Sequence, residues 1–259
     1  MPKAAGIDIG SRTIKFVLLT DSQITAYRII DTGTDPLANS KSILSENKFD
    51  VIVATGYGRH LIQNHFGFPV VTEIKAYAIG AHFLFPNCRT VIDIGGQDSK
   101  IIKVKDGQVL DFEMNDRCAA GTGKFLEVMA QTLGFSLANL GEEALKAENS
   151  VPISSMCTVF AESEVISLIA RGEKPKNIAL GLHESILNRL LSMLGRIGFE
   201  DEIVFAGGVA KNRCLANLLA KRIKKKILIP QEPQIVGALG AALIATYKND
   251  KKYDQLSIK

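Results

Sequence analysis

Two Asp-X-Gly turns, Asp8-Ile9-Gly10-Ser11 and Asp93-Ile94-Gly95-Gly96-Gln97-Asp98-Ser99, each stand directly behind a short apolar run. The runs are Ala4-Ala5-Gly6-Ile7 and Val91-Ile92, so each turn is expected at the end of a buried strand. Glycine lets the backbone come close to a phosphate, while serine and backbone N–H groups supply donors. A carboxylate repels a phosphate, so Asp8 and Asp93 imply a divalent cation or its waters between the two charges. The recurrence of the turn implies two related halves.

At 259 residues the chain is long enough for one large or two small domains. No window approaches the ~18 uninterrupted apolar residues of a membrane span, and no apolar secretory segment follows Met1-Pro2-Lys3. A soluble cytoplasmic protein with no membrane partner is expected. The net charge of +4 is mild, and lysines gather late in the chain, in Lys221-Arg222-Ile223-Lys224-Lys225-Lys226 and Lys248-Asn249-Asp250-Lys251-Lys252. A solvated face and a frayed tail account for them; a docking surface for an acidic partner is the sharper alternative. No aromatic residue interleaves with these lysines, which argues against nucleic acid.

Residues 14–19 and 24–30 continue the β-rich opening as a meander of two or three strands. A helix is expected over 35–46, a strand over 51–54, a turn at Thr55-Gly56-Tyr57-Gly58-Arg59 and a helix over 72–81 capped by Thr72. The second unit opens with a strand at 89–94 and a hairpin around Asp106-Gly107. Helices are then expected over 121–133, 159–171 and 178–197, a buried strand over 203–206, and a Gly/Ala-rich helix from Val236 to Tyr247. Strand, strand, strand, helix, strand, helix is thus seen twice, although little beyond the Asp-X-Gly turn is shared in sequence.

Four cysteines occur, Cys88, Cys118, Cys157 and Cys214, with no Cys-X-X-Cys pair. A reducing cytosol forbids structural disulfides, and the spacing matches no single-chain zinc or ferredoxin pattern. On spacing alone they are buried free thiols acting as small hydrophobes.

Three phosphate- or nucleotide-type turns followed by a Gly/Ala-rich helix resemble the actin-like ATPase fold, an α/β architecture of two related lobes, each a mixed β-sheet flanked by helices. By that resemblance the lobes are 1–86 with 232–259, and 87–231. The first phosphate loop takes in Asp8, Gly10, Ser11, Arg12, Thr13 and Lys15; the second takes in Asp93, Gly95, Gly96, Gln97, Asp98 and Ser99; Gly207 and Gly208, with Lys211 and Asn212, form the adenosine loop. Glu73 falls in the linker helix, where the fold often places a carboxylate near the attacking water, and Gln97 is a second candidate for hydrolysis. Arg59 suits a turn-stabilising role.

Two further stretches narrow the resemblance: Asn115-Asp116-Arg117-Cys118-Ala119-Ala120-Gly121-Thr122-Gly123-Lys124-Phe125-Leu126-Glu127 and Met156-Cys157-Thr158-Val159-Phe160-Ala161-Glu162-Ser163-Glu164-Val165. Both are similar to the CoA-substrate-specific enzyme activases, the ATP-dependent activators of 2-hydroxyacyl-CoA dehydratases and benzoyl-CoA reductases. The resemblance implies a homodimer with one [4Fe-4S] cluster at the subunit interface, held by two cysteines from each chain, and Cys118 and Cys157 occupy the matching positions. Cys118 is expected just before a helix start, where the macrodipole and free N–H groups stabilise a thiolate. Two thiolates per chain cannot complete a cubane that wants four, and a two-fold axis supplies the rest.

The implied cofactors are ATP or ADP, Mg2+ and the cluster. The implied activity is an ATP-driven electron transfer to a partner dehydratase or reductase that carries iron–sulfur clusters of its own, or to a related double-cubane protein, with ferredoxin or flavodoxin as donor. Gly121, Thr122, Gly123 and Lys124 follow Cys118 closely, so one short segment is expected to touch both nucleotide and cluster. The competing expectations are a pantothenate- or amino-sugar-type kinase of the same fold and a non-catalytic actin-like nucleotide switch.

Overall fold

The structure, a computed structural model, describes residues 2–155 and 157–249. Met156 of the second cysteine motif lies outside the described residues, as do residues 250–259, which include the end of the lysine tail and of the expected first lobe. The chain begins β1 (Lys3–Ile9), β2 (Thr13–Thr20), β3 (Gln23–Asp31), α1 (Pro36–Ser45), β4 (Val51–Thr55), α2 (Arg59–Phe66) and α3 (Glu73–Leu84). It continues β5 (Thr90–Ile94), β6 (Ser99–Lys105), β7 (Gln108–Asn115), α4 (Gly123–Thr132), α5 (Leu137–Leu145), α6 (Thr158–Ala170) and α7 (Pro175–Ile197). It closes with β8 (Ile203–Ala206), α8 (Arg213–Ile223), β9 (Ile227–Leu228) and α9 (Val236–Asn249).

Two compact units result: one holds residues up to 88, 104–110 and those from 234 on, the other 89–103 and 111–233. The first contains a four-stranded sheet of order β3-β2-β1-β4, with β1 antiparallel to β2 and parallel to β4. The other sheet has five strands in the order β7-β6-β5-β8-β9, with β5 antiparallel to β6 and parallel to β8. Both sheets are therefore mixed, and each sends its first strand into an Asp-X-Gly turn.

Period-two alternation decides what covers the first sheet. Ala5, Ile7 and Ile9 of β1 share one apolar cluster with Ile43 of α1 and Ile62 of α2, while Ala4 joins Ala238, Leu239 and Ala242 of α9 in another. Small residues let α9 lie close to its neighbours: a Cβ at Gly240 would overlap the carbonyl of Ala76 on α3, and one at Gly6 would overlap that of Ala238. The second unit has a single core, in which Ile92 and Phe205 from the sheet meet Phe125, Leu182 and Leu215 from three helices.

Local chemistry accounts for most boundaries. Asp35 caps α1 by accepting from Ala38 N at 2.9 Å, with Pro36 in the first turn, and Thr72 caps α3. Asp106 and Gly107, with φ of 52° and 75°, form the mirror-image turn that joins β6 to β7. The structure departs from the sequence reading at α4, which begins at Gly123 rather than Gly121: Gly121 has φ of 81°, outside any right-handed helix. It also adds three helices, α2, α5 and α8, that the periodicity does not announce.

Candidate functional site

Asp8, at the end of β1, is 3 % exposed. A carboxylate so far from water needs a counter-charge, and its cross-strand partner on β2 is Lys15, whose Nζ lies 3.2 Å from Oδ2. The turn is closed by Gly10 N donating to Thr13 O at 3.1 Å, and Thr32 Oγ1 donates to Gly10 O at 2.8 Å. On the other side β4 runs parallel to β1, with Thr55 opposite Asp8. The next residue, Gly56, has φ of 94°, and a Cβ there would overlap Asp8 Oδ1. Arg59 Nη1 donates to Gly56 O at 3.1 Å and so holds this turn.

The same arrangement recurs on β5. Asp93 is 1 % exposed and faces Lys100 across the β5–β6 ladder, with Nζ at 3.3 Å from Oδ2. Lys100, 2 % exposed, also reaches Asp98 Oδ1 at 2.8 Å. Gly95 N donates to Asp98 O at 2.9 Å. β8 runs parallel to β5 with Ala206 opposite Asp93, and Gly207 follows with φ of 83°; a Cβ on it would overlap Asp93 Oδ1. Each half thus carries a buried aspartate, a cross-strand lysine seven residues on, and a left-handed glycine ending the parallel strand. Lys100 escapes the sequence reading, although its spacing from Asp93 equals that of Lys15 from Asp8.

The second turn is also tied to the segment leading from Cys118. The first N–H groups of a helix lack partners within it, and those of α4 donate to the turn: Gly123 N to Gly95 O at 2.9 Å and Lys124 N to Gly96 O at 2.8 Å. Ser99 Oγ donates to Gly121 O at 3.2 Å. Within the segment Thr122 Oγ1 donates to Ala119 O at 2.6 Å, and Asn115 Nδ2 donates to Cys118 O at 2.9 Å. Hydrogen bonds therefore tie the Asp93 turn to Gly121, Gly123 and Lys124, and Thr122 to Ala119, the residue that follows Cys118.

Burial separates the four thiols. Cys88 and Cys214 are buried, and burial, with the charges of Glu184 and Glu142, pushes the Cys214 thiol up to about 12. Such a thiol is inert. Cys118 is half-buried and Cys157 exposed. The expected helix start is at Cys157, the N-cap of α6, and not at Cys118, because α4 begins only after Thr122. Glu164 on α6 fixes the approach to Cys157 by accepting from Ser154 N and Ser155 N, both at 2.9 Å. Burial works against its charge, but these N–H groups and the Ser154 hydroxyl hold its carboxyl below the usual range. Val159, Phe160 and Ile166 beside Cys157 on α6 are exposed. Among the described residues no group of three or more His, Cys, Asp or Glu could hold a metal.

The remaining candidates take varied places. Glu73 is the first residue of α3, directly behind its cap. Gln97 and Arg12 are exposed, and Ser11 and Thr13 are half-buried beside Gly10. Gly208 starts a short 3₁₀ turn; Lys211 pairs with Glu232 at 2.9 Å, and Lys124 with Glu127 at 3.5 Å. Asn212 caps α8 by accepting from Leu215 N at 3.0 Å, and its amide lies 2.9 Å from His183 Nε2. His183 is fully buried on α7 with Nδ1 at 2.7 Å from Ala179 O, which makes Nδ1 the protonated nitrogen and Nε2 the acceptor. Burial keeps this imidazole below its ordinary pKa, and hence neutral.

Two buried Asp–Lys turns on twin mixed sheets define an ATPase of the actin-like fold class. The chain belongs to the BadF/BadG/BcrA/BcrD ATPase family, whose pattern matches residues 5–245. It is 40 % identical to the 2-hydroxyisocaproyl-CoA dehydratase activator of Clostridioides difficile over 98 % of each chain. It is 42 % identical to the (R)-2-hydroxyglutaryl-CoA dehydratase activating ATPase of Acidaminococcus fermentans, over 95 % of this chain and 98 % of that one. A benzoyl-CoA reductase subunit of Thauera aromatica is 30 % identical over 97 % of this chain and 95 % of its own. The crystal structure of the Acidaminococcus dehydratase component superposes with a TM-score of 0.91 at 39 % identity, covering 97 % of this chain and all of that one. The Clostridium activator with bound ADPNP gives 0.87 at 38 % identity, with 99 % of each chain covered.

Proposed function

We propose that this protein is an ATP-hydrolysing activator that passes a low-potential electron to a partner iron–sulfur enzyme of the 2-hydroxyacyl-CoA dehydratase or benzoyl-CoA reductase kind. The observation that carries the reading is that the short segment following Cys118 is hydrogen-bonded to the Asp93 turn at Gly121, Gly123 and Lys124. In this reading a nucleotide-dependent shift of the Asp93 turn is passed along this segment to the Cys118 peptide.

In this reading the working lobes are 1–86 with 232–259, and 87–231. Asp8 and Asp93 are the carboxylates that would face the waters of Mg2+, and Lys15, the Gly10–Thr13 turn and the Gly95–Ser99 turn are the groups that would hold phosphates. Gly207 and Gly208, with Lys211, border the adenosine. Asn212 serves that loop by capping α8. Glu73 and Gln97 are the groups available to orient the attacking water. Glu73 suits that role as a carboxylate at a helix N-terminus.

Cys118 and Cys157 supply two thiolates, and a second copy of the chain supplies two more to a [4Fe-4S] cluster on the dimer axis. When bound, the cluster supplies one-electron storage. The chain's own residues do the rest: Asn115 orients the Cys118 peptide, Glu164 holds Ser154 and Ser155 ahead of Cys157, and the exposed Val159, Phe160 and Ile166 of α6 give the second copy an apolar seat. Ferredoxin or flavodoxin in the cytoplasm is the donor. A kinase or filament reading draws on the fold alone and gives Cys118 and Cys157 no use.

Protein purified without oxygen is expected to be brown, with about four irons per dimer. Gly121→Ala, which forces a side chain into a left-handed position 3.0 Å from Arg189 Cδ, is expected to keep ATP hydrolysis while uncoupling it from electron transfer. Colourless protein that phosphorylates a small molecule overturns the activator reading. Full coupling in Gly121→Ala removes the proposed route.

A further inference from the structure

Lys100 occupies the position that a cation would want. Its ammonium stands 3.3 Å from Asp93 Oδ2 and 2.8 Å from Asp98 Oδ1, deep in the second turn. Lys15 pairs with Asp8 at 3.2 Å and keeps 12 % of its side chain exposed. A lysine shared by two carboxylates leaves the pair with one net negative charge instead of two. That halves what the turn can offer a hydrated divalent cation.

We propose that Lys100 is a resident counter-cation that keeps Asp93 and Asp98 from collecting a divalent metal until nucleotide arrives, so that metal loading of the second turn is conditional on ATP or ADP. The inference rests on the ATPase reading above and adds a regulatory step to it. An ammonium has three donors and a flexible stem, so a polyphosphate gives it new acceptors and lets it swing off the carboxylates. The freed carboxylates then take the waters of the metal that the nucleotide brings. A lysine serving only to neutralise a buried aspartate needs no second carboxylate, as Lys15 illustrates.

The test is Mn2+ binding to the nucleotide-free, full-length protein, read as free Mn2+ by electron paramagnetic resonance. Lys100→Gln is expected to bind Mn2+ at least about tenfold more tightly than the unsubstituted protein, and Mn2+ is expected to raise its melting temperature selectively. Lys15→Gln is expected to gain less. Equal Mn2+ affinity in a Lys100→Gln protein whose circular dichroism is native overturns the proposal. A tight Mn2+ site in the unsubstituted protein without nucleotide overturns it with no variant at all. If the unsubstituted protein binds no ATP analogue, the ATPase reading fails and takes this one with it; normal analogue binding with unchanged Mn2+ affinity overturns only this one.

Discussion

The Asp8 and Asp93 turns share an aspartate, a lysine seven residues on and a left-handed glycine behind, yet they are anchored differently. Gly10 O is held by the hydroxyl of Thr32, a residue at the end of its own sheet. Gly95 O and Gly96 O are held by the backbone of α4, the helix that follows Cys118. The first turn is thus braced, and the second is geared. One Asp–Lys–Gly arrangement is repeated in the two units, and in the second it is also tied to the segment that leads from Cys118.

The largest expected difference is in the lysines. Lys100→Met removes the counter-charge from a buried carboxylate and is expected to cost about 3–5 kcal/mol in urea unfolding. Lys15→Met, where water reaches the lysine, is expected to cost about 1–2 kcal/mol. Equal losses break the contrast between the turns. Next come the glycines: Gly56→Ala and Gly207→Ala each meet an aspartate oxygen at positive φ, and each is expected to cost about 1–3 kcal/mol. A neutral result at either position removes it from the shared design.

Smaller effects test the gearing. Thr32→Val and Ser99→Ala each delete one hydrogen bond, worth about 1 kcal/mol of stability. Only Ser99→Ala is expected to lower the number of electrons transferred per ATP hydrolysed; if Thr32→Val does so equally, the braced and geared descriptions are wrong. The smallest effect concerns His183. Its pKa is lowered in the folded state, so the unfolded chain binds the proton more readily, and stability falls as pH drops below about 6.5. Above that pH the contribution is complete. His183→Gln is expected to flatten this part of a pH series of urea midpoints.

Much of the architecture is legible because its signals are local. The Asp106-Gly107 turn, the Asp35-Pro36 start and the Thr72 cap each lie within a few residues and have one conformational meaning. The helix α2 is missed because Arg59-His60-Leu61-Ile62-Gln63-Asn64-His65-Phe66 is short, polar and opened by a glycine with no side-chain cap. Lys100 is missed for another reason. Its partnership with Asp93 exists only once the β5–β6 register is known, and the overlap of Gly207 with Asp93 only once β5 and β8 lie parallel. The choice among the cysteines needs burial: spacing treats all four alike, whereas exposure sets Cys118 and Cys157 apart from Cys88 and Cys214.

The place of α9 has a consequence for how the molecule is made. β1 leaves the ribosome before the unit around β5, but Ala4, Val17 and Val53 share their apolar cluster with α9, which follows that unit. The unit around β5 and α7 has its core complete by β9, so it can fold during translation. The unit that β1 opens is therefore completed only after the unit around β5, and a chain truncated before Val236 keeps the core of the second unit while leaving the Asp8 strand with one face bare.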